Sequence, residues 1–229
     1  MLRIIDKLIK KDILLEIRDI RSRQELHPLQ KGYLPWSGAS VRPTALVYLL
    51  NEIVLNNRRC IVECGAGVST LFIARLFNQL GEGRKLYSID HDANWLTILK
   101  QELKREGLVG QVELIHAPLK PTDNGWDSWS EWYDEKVIEK SIKKAKIDLL
   151  FVDGPPANKP GIEMSRYTAL PFFLGRMDET CCVILDDADR EGERKTARKW
   201  SEKLGAEFKE QILNGNIFVG RRGDSYNVM

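Results

Sequence analysis

Seven residues of this chain have the types and spacing to do chemistry on a nucleotide-like ligand. They are Glu63, Gly65 and Gly67 in Ile61-Val-Glu-Cys-Gly-Ala-Gly-Val-Ser-Thr70, Asp90 in Leu86-Tyr-Ser-Ile-Asp90, Asp153 in Leu149-Leu-Phe-Val-Asp153, and Asp186 and Asp187 in Val183-Ile-Leu-Asp-Asp187. The two glycines let the backbone turn sharply and leave room where a side chain would stand. A helix from Ser69 then aims unpaired N–H groups at the ligand, which suits a carboxylate or phosphate. Glu63 closes an apolar run, where a carboxylate is costly unless a cationic ligand group compensates it. Asp90 ends the next strand and can accept hydrogen bonds from ribose hydroxyls. Its other reading, a helix cap, is better met by Asp92.

Thr70 stands where the dinucleotide fingerprint has its third glycine, which lowers the expectation of a nicotinamide cofactor. Asp153 and Asp186 (or Asp187) end two later strands and should face each other across a crevice. Three carboxylates so close repel unless one is protonated or a cation joins them, and oxygen-only ligands suit Mg²⁺. The plainer readings are that Asp153 contacts only the cofactor or caps the Gly-Pro-Pro turn, and that Asp187 caps a helix from Arg190.

Strands and helices must alternate to bring these residues together. Strands are expected near 60–64, 85–90, 111–116, 147–153 and 181–186, with helices over 43–55, 69–80, 93–106, 162–177 and 190–204. Such alternation gives a mostly parallel sheet covered on both faces. Asn214-Gly215 predicts a two-residue hairpin turn joining 207–213 to 216–221, so the last two strands should pair antiparallel. Residues 118–146, with Trp126, Trp129, Trp132 and Tyr133, form a long connection at the ligand side of the sheet, as a substrate wall or a surface helix with aromatic anchors. Residues 1–26 read as a helix with one apolar stripe, Leu2, Ile5, Ile9, Ile13, Ile17 and Ile20. That stripe would dock on the domain or on a second subunit as a homodimer, or contact a membrane surface. The chain divides into 1–42, a helix with a substrate-side loop, and 43–229, a ligand-binding domain.

The bulk properties fit one such domain. The 229 residues carry a net charge of +2, which argues against a nucleic-acid-coating surface. Cys60, Cys64, Cys181 and Cys182 lack zinc-ribbon spacing and read as reduced core thiols. No apolar run reaches the roughly 18 residues of a membrane span, and no signal-peptide pattern opens the chain, so a cytoplasmic location is expected.

Over about residues 35–221 the chain is similar to class I S-adenosylmethionine-dependent methyltransferases, through Glu63-Cys-Gly-Ala-Gly67, Asp90 and the antiparallel terminal hairpin. The resemblance implies a Rossmann-like, seven-stranded, mostly parallel sheet with that hairpin and extra N-terminal helices. It implies that Glu63, Gly65, Ala66 and Gly67 line the methionine half of the cofactor, Ser69 its carboxylate and Asp90 the ribose. His91, His116 and Ala117 would lie along the adenine, and Asp153 would border the cofactor.

The acids after the fourth and fifth strands resemble those of metal-dependent O-methyltransferases of the catechol and macrolide-sugar types, which hold Mg²⁺ against two neighbouring substrate hydroxyls. Those families carry Asp-Asn where this chain has Asp186-Asp187. The Asp-Pro-Pro-Tyr motif of base-methylating enzymes is not matched, because Gly154 interrupts it and Ala157 stands where the aromatic residue would be. The wider pattern of Gly-Pro-Pro, Ser165 to Pro171 and Asp186 to Arg190 also resembles a bacterial branch of small stand-alone methyltransferases.

The expected reaction is methyl transfer to an oxygen of a small molecule, a sugar or hydroxylated metabolite. Asp153 with Asp186 or Asp187 would orient and deprotonate the acceptor, with or without Mg²⁺. Trp36 and Trp132 would wall the acceptor pocket, and Arg166 would face an anionic or sugar-like substrate. The rivals are an NAD(P)-binding oxidoreductase and a non-catalytic, methyltransferase-like subunit that binds a partner through the helix at 1–26.

Overall fold

A computed structural model describes residues 2–33, 36–126, 131–143 and 145–228, with the side chains of the first helix described from Asp12 onward. Seven strands form one sheet in the order β3-β2-β1-β6-β7-β9-β8. These are β1 (Cys60–Cys64), β2 (Lys85–Asp90), β3 (Val112–His116), β6 (Ile147–Val152), β7 (Met177–Leu185), β8 (Phe208–Gln211) and β9 (Ile217–Arg222). The first five pair in parallel, while β9 runs antiparallel to both β7 and β8. The mostly parallel sheet is the one expected from the alternation of strands and helices, and its seven strands with the antiparallel hairpin are what the family resemblance implied.

The apolar runs are continuous because both faces of the sheet are covered. Ile61, Leu149, Phe151 and Ile184 point into one core, under α2 (Pro43–Leu55), α3 (Val68–Leu80) and α4 (Ala93–Arg105). Their neighbours Val62, Leu150, Val152 and Leu185 point into the other, with α5 (Glu135–Ser141), α6 (Ala169–Phe173) and α7 (Glu191–Leu204). All four cysteines are free thiols.

α1 (Leu2–Leu26) packs on α2 through Leu15, Asp19, Ser22 and Leu26. Asp19 accepts from the Thr44 N–H (3.0 Å) and hydroxyl (2.7 Å), which gives α2 the cap that Arg42 cannot supply. The expected apolar stripe does not face the domain: Ile13, Ile17 and Ile20 are more than half exposed. The side chains of Leu2, Ile5 and Ile9 lie outside the described residues.

Two local expectations are not met. Residues 162–177 do not form one helix but a 3-10 turn (Ser165–Thr168), the short α6 and a second 3-10 turn (Leu174–Arg176), after which β7 begins. Pro171 has no N–H to bond the Tyr167 carbonyl, and that carbonyl accepts from Trp200 Nε1 instead (2.8 Å).

The terminal hairpin is not closed by two residues. Gln211 and Ile217 are its last pair, and Gly215 (φ 97) and Asn216 (φ 65) both turn left-handed. Arg18 holds that loop through the Leu213 carbonyl (2.8 Å), and Asn216 Nδ2 donates to Asp189 (2.7 Å).

The connection over 118–146 contains an antiparallel pair, β4 (Leu119–Pro121) with β5 (Glu131–Tyr133), followed by α5. Trp129 lies outside the described residues.

Candidate active site

Parallel strands put their carboxyl ends on one edge, and there β1, β2, β6 and β7 open a cleft of about 600 Å³. Ala66, Asp90, His91, Asp153, Arg166, Asp186 and Asp187 border it, together with Tyr133 and Gly154. Gly38, Ala39, Ser40, Asn158 and Lys159 form the opposite rim.

The glycine turn is built to approach its neighbours closely. Gly65 adopts φ 95, and a Cβ there would stand 2.9–3.2 Å from the backbone of Asp153 and Gly154. At Gly67 a Cβ would meet only Ser69 Oγ at 4.0 Å, so the missing side chain leaves open space above the loop. The turn is fixed from two sides. Ala66 N–H donates to Asp90 Oδ2 (3.0 Å), and Trp95 Nε1 donates to the Ala66 carbonyl (2.7 Å). Asp90 Oδ1 accepts from the Asp92 amide (2.8 Å), and Asp92 itself caps α4 through the amides of Asn94 and Trp95.

Glu63 is fully buried opposite Ser88 in the β1–β2 register. Its Oε2 accepts from the hydroxyls of Thr70 (2.5 Å) and Ser88 (2.6 Å), while Oε1 has no partner among the described residues. Burial pushes this carboxyl up to about 7, against the pull of the hydroxyls around it. Thr70 Oγ1 also accepts from the Gly67 N–H (2.9 Å). The residue that breaks the dinucleotide fingerprint therefore joins the acid to the turn.

Oxygens of Asp153, Asp186 and Asp187 lie within 4.8 Å of one another. The cation that joins two of them is Arg166, 4% exposed. Its Nη2 donates to the Asp153 carbonyl (2.7 Å) and to Asp153 Oδ1 (3.2 Å), and its Nη1 to Asp187 Oδ2 (2.9 Å). Arg190 also meets Asp187 (2.7 Å). Glu193, almost fully buried, lies 3.6 Å from Arg166. Asp153, Asp187 and Glu193 thus share two arginines. Asp186, 5% exposed, has no hydrogen-bonded side-chain partner among the described residues. Burial and the Asp187 charge push Asp186 up to about 7, and burial with the Asp186 charge raises Asp153 well above the ordinary carboxylate range. Asp187 does not cap α7; it adopts φ 61, and Arg190 occupies the cap position.

Several expected residues stand elsewhere. Trp132 is fully buried against Phe172 and Phe173 and does not border this cleft. It alternates with Tyr133 on β5, so only one of the two can face the cleft. Trp36 packs edge-on against Phe72 (6.0 Å) rather than bordering the cleft. Arg166 spends its donors on the protein, not on an incoming anion. Ala117 is fully buried, and His116 faces a separate groove with its Nε2 3.1 Å from the His91 carbonyl. His91 Nδ1 lies 3.3 Å from Asp90 Oδ1 without hydrogen-bond geometry. Ser69, near the start of α3, is 2% exposed.

Sequence reading missed Ser88 and Trp95, and named Tyr133 only as one of the aromatics of the 118–146 connection. A serine inside an apolar strand was the available signal for the first. Nothing local marked Trp95.

A family model described as a methyltransferase domain matches residues 62–188. No curated protein matches the chain. Among solved structures, a SAH-bound methyltransferase from Podospora anserina superposes with a TM-score of 0.61 at 12% identity, covering 92% of this chain and 88% of that one. A methyltransferase from Geobacter sulfurreducens gives 0.54 at 17%, covering 97% and 96%. The SAM-bound O-methyltransferase TomG from Streptomyces achromogenes, involved in tomaymycin synthesis, gives 0.51 at 16%, covering 90% and 88%. At these identities the superpositions speak for the fold.

Proposed function

This chain belongs to the methyltransferase-domain family and is a class I S-adenosylmethionine-dependent methyltransferase, and from that premise we propose that its acceptor is an oxygen of a small hydroxylated molecule. The observation that carries this reading is Asp186. It is a buried carboxyl on the cleft wall that no side chain among the described residues pairs by hydrogen bond, and burial beside the Asp187 charge pushes it up to about 7. A carboxyl raised in this way is a stronger base once ionised and can take a proton from a hydroxyl as its oxygen attacks.

The donor chemistry fits the other half of the cleft. S-Adenosylmethionine carries a sulfonium and an ammonium, and the walls hold more carboxylate than arginine. Glu63 keeps one buried oxygen unspent, and the space over Gly67 is open. Asp90 retains lone pairs for ribose hydroxyls beyond those given to the amides of Ala66 and Asp92. The step is an in-line displacement at an already activated carbon, so orientation supplies most of the rate. Asp153 and Arg166 fix the floor beneath the acceptor, and Asp186 receives its proton.

The oxygen-only set of Asp153, Asp186 and Asp187 also fits a divalent cation. Mg²⁺ held there would supply Lewis acidity to the acceptor hydroxyl.

Calorimetry with S-adenosylhomocysteine tests the donor side: binding by wild type and at least tenfold weaker binding by Asp90→Ala are expected, and no wild-type binding would sink it. Release of S-adenosylhomocysteine with a panel of sugars and catechols tests the acceptor side. Turnover that Asp186→Asn leaves unchanged removes the role given to that residue.

A further inference from the structure

Tyr133 brings to the cleft a polar group that neither the fold nor the proposed reaction has used. Tyr133 ends β5 and is 1% exposed, with its ring edge-on to Trp132 (5.5 Å) and tilted against His91 (6.4 Å). The ring is fixed because Trp132, its neighbour on the strand, is locked in the core, and because β5 is paired through Leu119 opposite Tyr133. The hydroxyl has no hydrogen-bond partner among the described residues. It borders the cleft and is free to meet a ligand there.

That position is well defined. A Cβ on Gly154 would run into the Tyr133 hydroxyl, and the same Cβ would stand 2.8 Å from the Gly65 Cα. The oxygen therefore lies over the point where the turns after β1 and β6 meet. Asp90 and His91 border the cleft on one side of it, Asp153 and Asp186 on the other. Burial raises the phenol well above its ordinary pKa, so it is neutral and presents a dipole rather than a charge.

We propose that Tyr133 is a donor-positioning residue whose hydroxyl oxygen meets the sulfonium end of S-adenosylmethionine, between the ribose held at Asp90 and the acceptor held at Asp186. This rests on the donor reading above. Carbons bonded to a sulfonium carry polarised C–H groups, and a phenol oxygen accepts weak hydrogen bonds from them. The thioether of the product carries no such charge, so this oxygen favours donor over product and helps release the latter. Gly154 is required because any side chain there would displace the oxygen.

Tyr133→Phe keeps the ring and removes only the oxygen. Calorimetry with both ligands should give S-adenosylmethionine binding weakened about fivefold, the size of one weak hydrogen bond. S-Adenosylhomocysteine binding should change by less than about twofold, with the thermal midpoint preserved. A role in packing alone would leave the ratio of the two dissociation constants where it is in wild type, and that result overturns the proposal. Wild type that binds neither ligand overturns the donor reading and this proposal with it. Wild type that binds both, beside a variant with an unchanged ratio, overturns this proposal alone.

Discussion

Thr70 Oγ1 lies 2.5 Å from Glu63 Oε2, and the same oxygen accepts from the Gly67 N–H. One hydroxyl thus ties a buried carboxyl to the glycine turn that follows it. Thr70→Val preserves shape and removes both bonds. Leaving a buried amide and carboxyl short of a partner costs about 1–3 kcal/mol, to be read from urea denaturation. Thr70→Ser should recover most of the loss.

Glu63 also gives the apoprotein a pH dependence. Burial raises its folded pKa to about 7 from the ordinary 4.5, so the folded state holds a proton that the unfolded chain releases. The stabilisation is full below about pH 4.5 and is lost as pH rises through about 7. Denaturation at pH 5 and pH 7.5 should show the lower value to be the more stable. In Glu63→Gln the part of this slope due to Glu63 should vanish, and a slope identical to wild type would contradict the assignment.

Arg166 holds Asp153 and Asp187 from a position 4% exposed. Arg166→Met leaves buried acids uncompensated, and breaking such a set from one side costs about 3–5 kcal/mol. The thermal midpoint should fall sharply and recover in part when Asp187→Asn is added. A fall that the second change does not relieve would mean that packing, not charge, is what Arg166 supplies.

Divalent-cation binding can be read without turnover. Mn²⁺ added to the wild-type protein should lose its free-ion electron paramagnetic resonance signal at the stoichiometry of one site, and Asp186→Asn should restore that signal. Full signal retained by wild type at millimolar Mn²⁺ removes the cation from the proposed site.

Much of the frame was legible in the sequence because its causes are local. Alternating apolar runs and turns fix strands and helices, Asp92 caps α4 from two residues away, and Gly65 turns because it alone tolerates φ 95 beside the Asp153 backbone. The terminal hairpin was legible as a pairing but not as a turn. Arg18, nearly two hundred residues earlier, reshapes the loop around Asn214.

The site was legible as a list of acids and not as a circuit. Asp153, Asp186 and Asp187 end their strands as the spacing requires, but the cation joining Asp153 to Asp187 comes from a 3-10 turn where one long helix was expected. Trp132 and Tyr133 are adjacent letters with opposite fates, one sealed in the core and one edging the cleft. The sequence by itself determined the order of elements, the glycine turn and the acids at the strand ends, since each depends on residues a few positions apart. Only the tertiary structure decided which charge faces which, because burial and pairing are set by elements distant in the chain that meet across the edge of one sheet.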